Sequence, residues 1–343
     1  MRLRKGVWYL LAPVTTFLVM LFAVYGLARD GGPDKAPVPL PPPGRPRAAA
    51  NELGVAPIVE YHLIGQPEGE WRRTPENFRR DLELLYSLGY YPVNLLDYVW
   101  GRMDVPAGRS PVVLTFDDSS AGQFRAVLVN GSPRPDPESA VGIMEDFARR
   151  HPDFPARATF YVLPGIGRRL RLFGQPDFWA WKLNYLAGHG YELGNHTFWH
   201  QNLAKASPEE VRRQLAMAQQ AVAEFVPGYR LQSLALPFGA WSKPRSLAKA
   251  GTYQDTTYRN HAILLVGAGP APSPADKDFD PMALPRIQAG DGPFGLKQTL
   301  RRLEARSPGR YVSDGDRSII AVPIPLQHRL REDLAAKAIF IPK

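Results

Sequence analysis

No cysteine occurs in the 343 residues. This excludes disulfides, thiolate-ligated zinc, a cysteine nucleophile and a cysteine-linked lipid anchor, and it leaves any metal to His, Asp and Glu. The compartment stays open, because an exported protein need not use disulfides. Histidine is scarce as well, with seven residues. A marked surplus of one charge is also lacking once the net +9 is divided along the chain. The first 47 residues hold seven of the 42 basic and two of the 33 acidic residues, leaving 35 against 31 beyond. No nucleic-acid partner is therefore expected. With 44% hydrophobic and 22% charged residues, the chain has enough apolar content for one large domain plus appendages. Whole-chain disorder, collagen and a multi-span membrane protein are excluded.

What is present falls into five stretches. Residues 1–6 are basic through Arg2, Arg4 and Lys5, and residues 7–28 form an uncharged apolar run long enough to cross a bilayer as a helix. The positive-inside rule puts the N-terminus in the cytoplasm and all that follows outside. A cleaved signal peptide ending at Gly26-Leu27-Ala28 is the competing reading, which would make the protein secreted. A retained single-pass anchor is preferred, since signal-peptide apolar regions run about 7–15 residues. Residues 29–52 read as a linker, with seven prolines between Pro33 and Arg47, a semi-rigid polyproline II spacer of about 45 Å at about 3.1 Å per residue. Residues 53–325 form the main domain, and residues 326–343 a C-terminal amphipathic helix over Gln327–Phe340 and a tail.

Within the main domain short apolar runs alternate with helical patterns. Strands are expected at Pro57–Tyr61, Pro111–Phe116, Ala158–Leu163, Tyr191–Gly194, Ser233–Pro237, Ala262–Val266 and Ser318–Val322. Helices are expected after Thr74-Pro75, with Phe78, Leu82, Leu85 and Leu88 on one face, after Asp136-Pro137, and after Ser207-Pro208-Glu209-Glu210, a capping box with proline at the first helical position. This alternation implies a parallel α/β sheet, open or closed into a barrel.

Three segments carry chemistry. Val112-Val113-Leu114-Thr115-Phe116 is a buried-strand pattern that ends in Asp117 and Asp118. At such a strand end paired acids can divide their roles, one holding a cation and the other taking a proton, or they can simply start a turn. His196 and His200 lie four apart at an expected strand-to-helix junction, where both can grip one ion. Leu236-Pro237-Phe238-Gly239 ends another strand in a turn whose backbone N–H groups either stabilise an oxyanion or merely terminate the strand.

In this order the segments resemble the polysaccharide deacetylases of carbohydrate esterase family four, the NodB-homology domain. Thr115-Phe116-Asp117-Asp118-Ser119 is similar to the family's T-F-D-D-G motif, His196-Thr197-Phe198-Trp199-His200 to its H-[ST]-x-x-H motif, and Ala235-Leu236-Pro237-Phe238-Gly239 in part to R-x-P-[FY]-G. Ile58–His62 resembles a Tyr-His strand near the start of many members, and Ala158-Thr159-Phe160-Tyr161 their A-T-F-F strand. The likeness runs from about Val55 to at least Gly239.

The resemblance implies a distorted (β/α) barrel of about seven parallel strands, preceded here by the N-terminal transmembrane helix. It also implies hydrolysis of N-acetyl groups on an acetylated hexosamine polymer, peptidoglycan or an exopolysaccharide. One divalent metal ion would be bound by Asp118, His196 and His200, with Zn²⁺ taken first and Co²⁺, Ni²⁺ and Mn²⁺ able to accept the same ligands. Asp117 would be the general base, and the Phe238 N–H would hold the oxyanion. Pro237, Trp241 and His62 are candidate substrate contacts, although His62 reads equally well as a core histidine. Two departures stand out. Ala235 occupies the place of a family arginine that braces the base, and the family's late leucine-x-histidine motif, whose histidine supplies the acid, has no clear copy. His261 and Arg286 are the candidate substitutes. Arg286, in the short strand-like run Leu284–Ile287, would brace Asp117 or else pair on the surface with the acids of Asp276–Asp280. A catalytically weak metal- and glycan-binding envelope protein, or an O-acetyl esterase, are the alternative functions, and the oligomeric state is left open.

The basic start, apolar run and Pro-rich stalk together predict an outward-facing domain on a retained anchor. Protease added to intact spheroplasts should release the domain. Full protection would reverse the orientation, and a mature N-terminus near Arg29 would remove the anchor.

Overall fold

The computed structural model describes residues 50–167, 169–267, 269–303 and 309–342. The expected anchor over residues 7–28 and most of the linker lie outside the described residues. Among the described residues no helix is long and apolar enough to cross a membrane.

The sheet is built from β1 (Ile58–Tyr61), β2 (Tyr90–Pro92), β3 (Ser110–Phe116), β4 (Thr159–Val162), β5 (Glu192–Asn195), β6 (Ser233–Ala235), β7 (Ala262–Leu264) and β8 (Ile287–Gln288). Its neighbours run β7-β6-β5-β4-β3-β1-β8, with β2 branching onto β3. Every pairing is parallel, from Ile58 opposite Val113 to Leu234 opposite Ile263. Parallel strands are covered on both faces, and β3 accordingly is buried at all seven positions. The run Leu284–Gln288 works as one stave: Leu284 bridges Leu264 of β7 while Ile287 pairs Val59 of β1. It thereby links the two ends of the path.

Alternation along the strands sorts residues to two faces. Ile58, Val113, Tyr161, Ala235 and Leu264 pack together on one. On the other, Val112, Leu114, Phe116 and Phe160 meet Phe78 and Leu82 of α1 (Pro75–Ser87) and Val141 and Met144 of α3 (Ala140–Arg150), numbering the short helix Leu95–Val99 as α2. Helix α1 starts where Thr74 accepts from the Asn77 N–H, and α5 (Pro208–Phe225), which follows α4 (Trp179–Gly188), starts where Ser207 accepts from Glu210.

Several expectations are corrected. The helix expected after Asp136-Pro137 begins three residues later, capped by Ser139, because Asp136 spends its side chain on the Glu138 N–H and on Arg125. Ser318–Val322 does not join the main sheet: Ile320–Pro323 pairs in parallel with Ala338–Ile341. Gln327–Phe340 is therefore not one amphipathic helix but two 3₁₀ turns, Ile324–Arg329 and Glu332–Lys337, ending in that strand. The boundary at residue 53 also falls late. Glu52 is already buried and accepts from the Tyr311 hydroxyl and the Ala321 N–H.

At the end of the sheet where β5 begins, Glu192 accepts from the Thr159 hydroxyl at 2.8 Å and the Leu96 N–H at 3.0 Å. Burial pushes its carboxyl from 4.5 up to about 7, against those hydrogen bonds. Between these values the folded chain holds a proton that the unfolded chain has lost, so this group's contribution falls as pH rises from about 4.5 to 7. The urea midpoint should be lower at pH 8 than at pH 5. Glu192→Gln should recover on the order of 1–3 kcal/mol at pH 8 and flatten the decline; an unchanged decline would remove Glu192 as its source.

Candidate metal centre and active site

Asp117 and Asp118 leave β3 together but face different partners because the backbone turns left-handed at Asp118 (φ 76°) and Ser119 (φ 48°). Ser119, where the family pattern has glycine, tolerates this conformation at a cost of about 1 kcal/mol or more. Its hydroxyl accepts from the Leu163 N–H at 2.9 Å and its carbonyl from Phe173 at 2.8 Å, which fixes the turn.

Asp118 faces the two histidines. Its Oδ1 stands 3.3 Å from His196 Nε2 and 3.4 Å from His200 Nε2, and the three ligand atoms lie within 4.8 Å of one another. Bonds of about 2.0–2.1 Å to a tetrahedral ion place ligand atoms roughly 3.3–3.4 Å apart. The Nδ1 of His196 is 2.9 Å from the Ala235 carbonyl, which fixes the ring and directs Nε2 inward. His196 Nε2 and Asp118 Oδ1 are buried and take part in no hydrogen bond. Buried polar atoms without partners are costly unless something else binds them, so this donor set fits a divalent cation. Burial and the neighbouring His196 bring His200 down to about 4, leaving it neutral near pH 7 as a ligand must be. Burial alone would raise Asp118, but the adjoining imidazoles, His196 first, outweigh it and hold it low.

The histidine pair does not open a helix, contrary to expectation. Thr197 (φ 64°) and His200 (φ 56°) are left-handed, and α5 starts only at Pro208. The loop is held instead by Gln214 of α5, whose Oε1 accepts from the N–H groups of Phe198 at 3.1 Å and Trp199 at 2.8 Å, and by Asn195, which accepts from Thr197.

Asp117 faces Arg286. The guanidinium bonds both carboxylate oxygens at 2.8 Å and also reaches Glu60 at 3.0 Å, Thr115 at 3.3 Å and the Leu265 carbonyl at 2.7 Å. Arg286 has no exposed surface, and the acids of Asp276–Asp280 do not hold it, since Asp276 pairs with Arg329. Burial raises the Asp117 carboxyl, but Arg286 and then His196 outweigh it, so the net direction is down. Glu60, sharing the same guanidinium, moves up, because burial and the nearby Asp117 charge exceed what Arg286 gives back.

His62 joins this group: its Nε2 is 3.7 Å from Glu60, and Glu60, His62 and Asp117 lie within 4.8 Å of one another through one ligand atom each. Phe238 sits at φ 59° with its ring 4.6 Å from that of His200, and it is 64% exposed. The Gly239 and Ala240 N–H groups are taken by Leu236 and Pro237, while among the described residues none accepts from Phe238.

Three candidates are placed otherwise. His261 precedes β7 at the opposite end of the sheet, 6.1 Å from the Trp100 ring, so it cannot serve as the acid. Pro237 is buried and opens the 3₁₀ turn Pro237–Gly239. Trp241 packs on the cluster around Leu203 and Val211, with Arg245 at 4.8 Å over its ring. Glu60, Gln214 and Asn195 were not singled out from sequence. Glu60 alone had a usable signal, an acid inside an otherwise apolar strand.

The family model for polysaccharide deacetylase matches residues 153–254. That stretch, which holds His196, His200 and the turn at Phe238, thus matches a polysaccharide deacetylase domain of the NodB-homology type. A peptidoglycan-N-acetylglucosamine deacetylase of Bacillus cereus is 27% identical over 165 residues, which is 48% of this chain and 50% of that protein. The match therefore spans half the length of that relative. In fold, the chain is similar to the Streptococcus pyogenes deacetylase PplD in complex with acetate (TM-score 0.50, 20% identity, covering 71% of this chain and 97% of that one). It is likewise similar to IcaB from Ammonifex degensii (TM-score 0.50, 17% identity, 71% and 95%).

A metal titration checks the donor set without reference to turnover. Equilibrium dialysis with Zn²⁺ should give one ion per chain, lost in the His196→Ala/His200→Ala double variant and kept in Asp117→Asn. Undiminished metal in the double variant would exclude these ligands, and loss in Asp117→Asn would exchange the roles of the two aspartates.

Proposed function

We propose that the protein is a metal-dependent N-deacetylase of an acetylated hexosamine polymer, working outside the cytoplasmic membrane. The observation that carries this reading is the carboxylate of Asp117, held anionic by Arg286 beside an Asp-His-His donor set with unpartnered buried atoms. When bound by Asp118, His196 and His200, a divalent ion supplies Lewis acidity to the acetyl carbonyl and to an attacking water. Asp117 takes the proton of that water as its oxygen attacks the carbonyl carbon. The Phe238 N–H donates to the oxygen as it gains charge. His62, the described histidine beside Asp117 that is not in the donor set, gives a proton to the departing nitrogen. The C–N bond breaks, and acetate and a free sugar amine leave. Arg286 and Glu60 touch no reacting atom: Arg286 orients Asp117 and keeps it ionised, and Glu60 holds the guanidinium in place.

The reading as a catalytically weak glycan binder was motivated by Ala235 and by the missing acid. Arg286 and His62 meet both needs from other strands, which favours an active hydrolase. The Bacillus cereus relative supports peptidoglycan as substrate, and the basic and apolar N-terminal sequence supports the location.

Acetate release from chitooligosaccharides, peptidoglycan and O-acetylated xylan tests the reading with the metal-loaded protein. Activity on the N-acetylated substrates is expected. Asp117→Asn should lower kcat by about 10²–10⁴-fold, as for loss of a general base. Arg286→Lys, which keeps the charge but loses the two-pronged bond, should lower kcat at least tenfold with little change in KM. Release from the xylan alone would make the protein an esterase.

A further inference from the structure

The mouth of the site does not end at the metal ligands. On the β1 side a small pocket bounded by Glu60, His62 and Trp71 shares Glu70, Gln288 and Ala289 with a groove of about 360 Å³ between loops 68–73 and 288–295. The reaction described above makes no use of this groove.

Its two walls are tied together beneath the surface. Arg73, 6% exposed, bonds Glu68 at 2.8 Å in its own loop, Asp81 of α1 at 2.6 and 2.9 Å, and Asp291 of the opposite loop at 3.1 and 3.3 Å. The Gln288 amide donates across to the Glu70 carbonyl at 2.6 Å. The far loop is drawn tight, since a Cβ on Gly295 would stand 2.2 Å from the Gly290 carbonyl oxygen. The groove is therefore preformed, which lowers the ordering cost of anything that binds it.

Each of the two adjoining hollows displays one aromatic ring, Trp71 on the small pocket and Phe294 on the groove. Trp71 is 42% exposed, with its ring 4.8 Å from that of His62, and Phe294 is 81% exposed, with the Arg302 guanidinium 5.7 Å over its ring. A single exposed aromatic needs no explanation. Two on adjoining hollows that share Glu70, Gln288 and Ala289 and run on from Glu60 and His62 do. The C–H bonds on the face of a pyranose ring carry partial positive charge and suit the negative face of an aromatic ring. We propose that this groove holds further sugar units of the N-acetylhexosamine chain, with Trp71 and Phe294 as stacking platforms, so that the polymer leaves the metal centre over β1 and β8. The inference rests on the deacetylase reading.

Calorimetric titration of chitobiose and chitopentaose into the metal-stripped protein measures binding without turnover. Wild-type protein should bind the pentamer at least tenfold more tightly than the dimer. Phe294→Ala and Trp71→Ala should each weaken the pentamer at least tenfold and shrink the ratio, while Trp71→Phe, which keeps a ring, should restore most of it. Equal pentamer affinity in wild type and both alanine variants, or no preference for the longer chain, overturns the proposal. Acetate release by metal-loaded protein from the same oligomers separates the two claims. Turnover without chain-length preference keeps the reaction and discards the groove. Ring-dependent pentamer binding without acetate release keeps the groove and discards the reaction.

Discussion

The guanidinium of Arg286 lies where three strands converge, with no exposed surface, and the rest of the site depends on how its charge is met. A buried ion costs several kcal/mol unless it is paired and fully hydrogen-bonded. Here five acceptors surround it: both oxygens of Asp117, Glu60, Thr115 and the Leu265 carbonyl. Those bonds account for the whole donor capacity of an arginine. Asp117 consequently has neither rotational freedom nor a reason to take up a proton at rest. Glu60 bears the cost: burial and the Asp117 charge exceed what the shared guanidinium gives back, and its carboxyl is pushed toward neutrality.

Two adjacent aspartates come to differ because of a single backbone event. If β3 simply ran on, Asp117 and Asp118 would point to opposite faces of the sheet, as successive strand residues do. The left-handed turn at Asp118 and Ser119 keeps both at the strand end. One then meets a permanent cation from the stave Leu284–Gln288, and the other meets the imidazoles of the proposed metal site. The division of labour between base and ligand is electrostatic, and it is imposed by the neighbours rather than by the carboxylates.

Much of this was legible in the sequence where strong local patterns exist. The buried run ending in Asp117-Asp118 and the caps at Thr74 and Ser207 express short-range chemistry, and the strand and helices they mark are present, while the His196–His200 spacing marked the residues that meet but not the loop that carries them. The short strand reading of Leu284–Ile287, with Arg286 directed at Asp117, also agrees with the geometry. What failed depended on distant partners. Asp136 could not be seen to be occupied by Arg125, nor Ala338–Ile341 to have a strand partner at Ile320. His261 had the right residue type beside the right strand but lies at its beginning, and only three-dimensional placement separates the two ends of so short a strand. Tyr90–Pro92 and the roles of Gln214 and Asn195 left no periodic trace.

The stave Leu284–Gln288 gives the catalytic base a dependence on chain completion. Asp117 and Arg286 are 169 residues apart, whereas Asp118, His196 and His200 all precede β6. A chain emerging from the ribosome thus has Asp118, His196 and His200 in hand well before the residue that orients Asp117. Until the stave docks between β7 and β1, such a chain holds the Asp-His-His cluster but lacks the guanidinium that fixes Asp117. Hydrolytic competence is in this sense a property of the finished molecule, withheld from fragments that end short of Arg286.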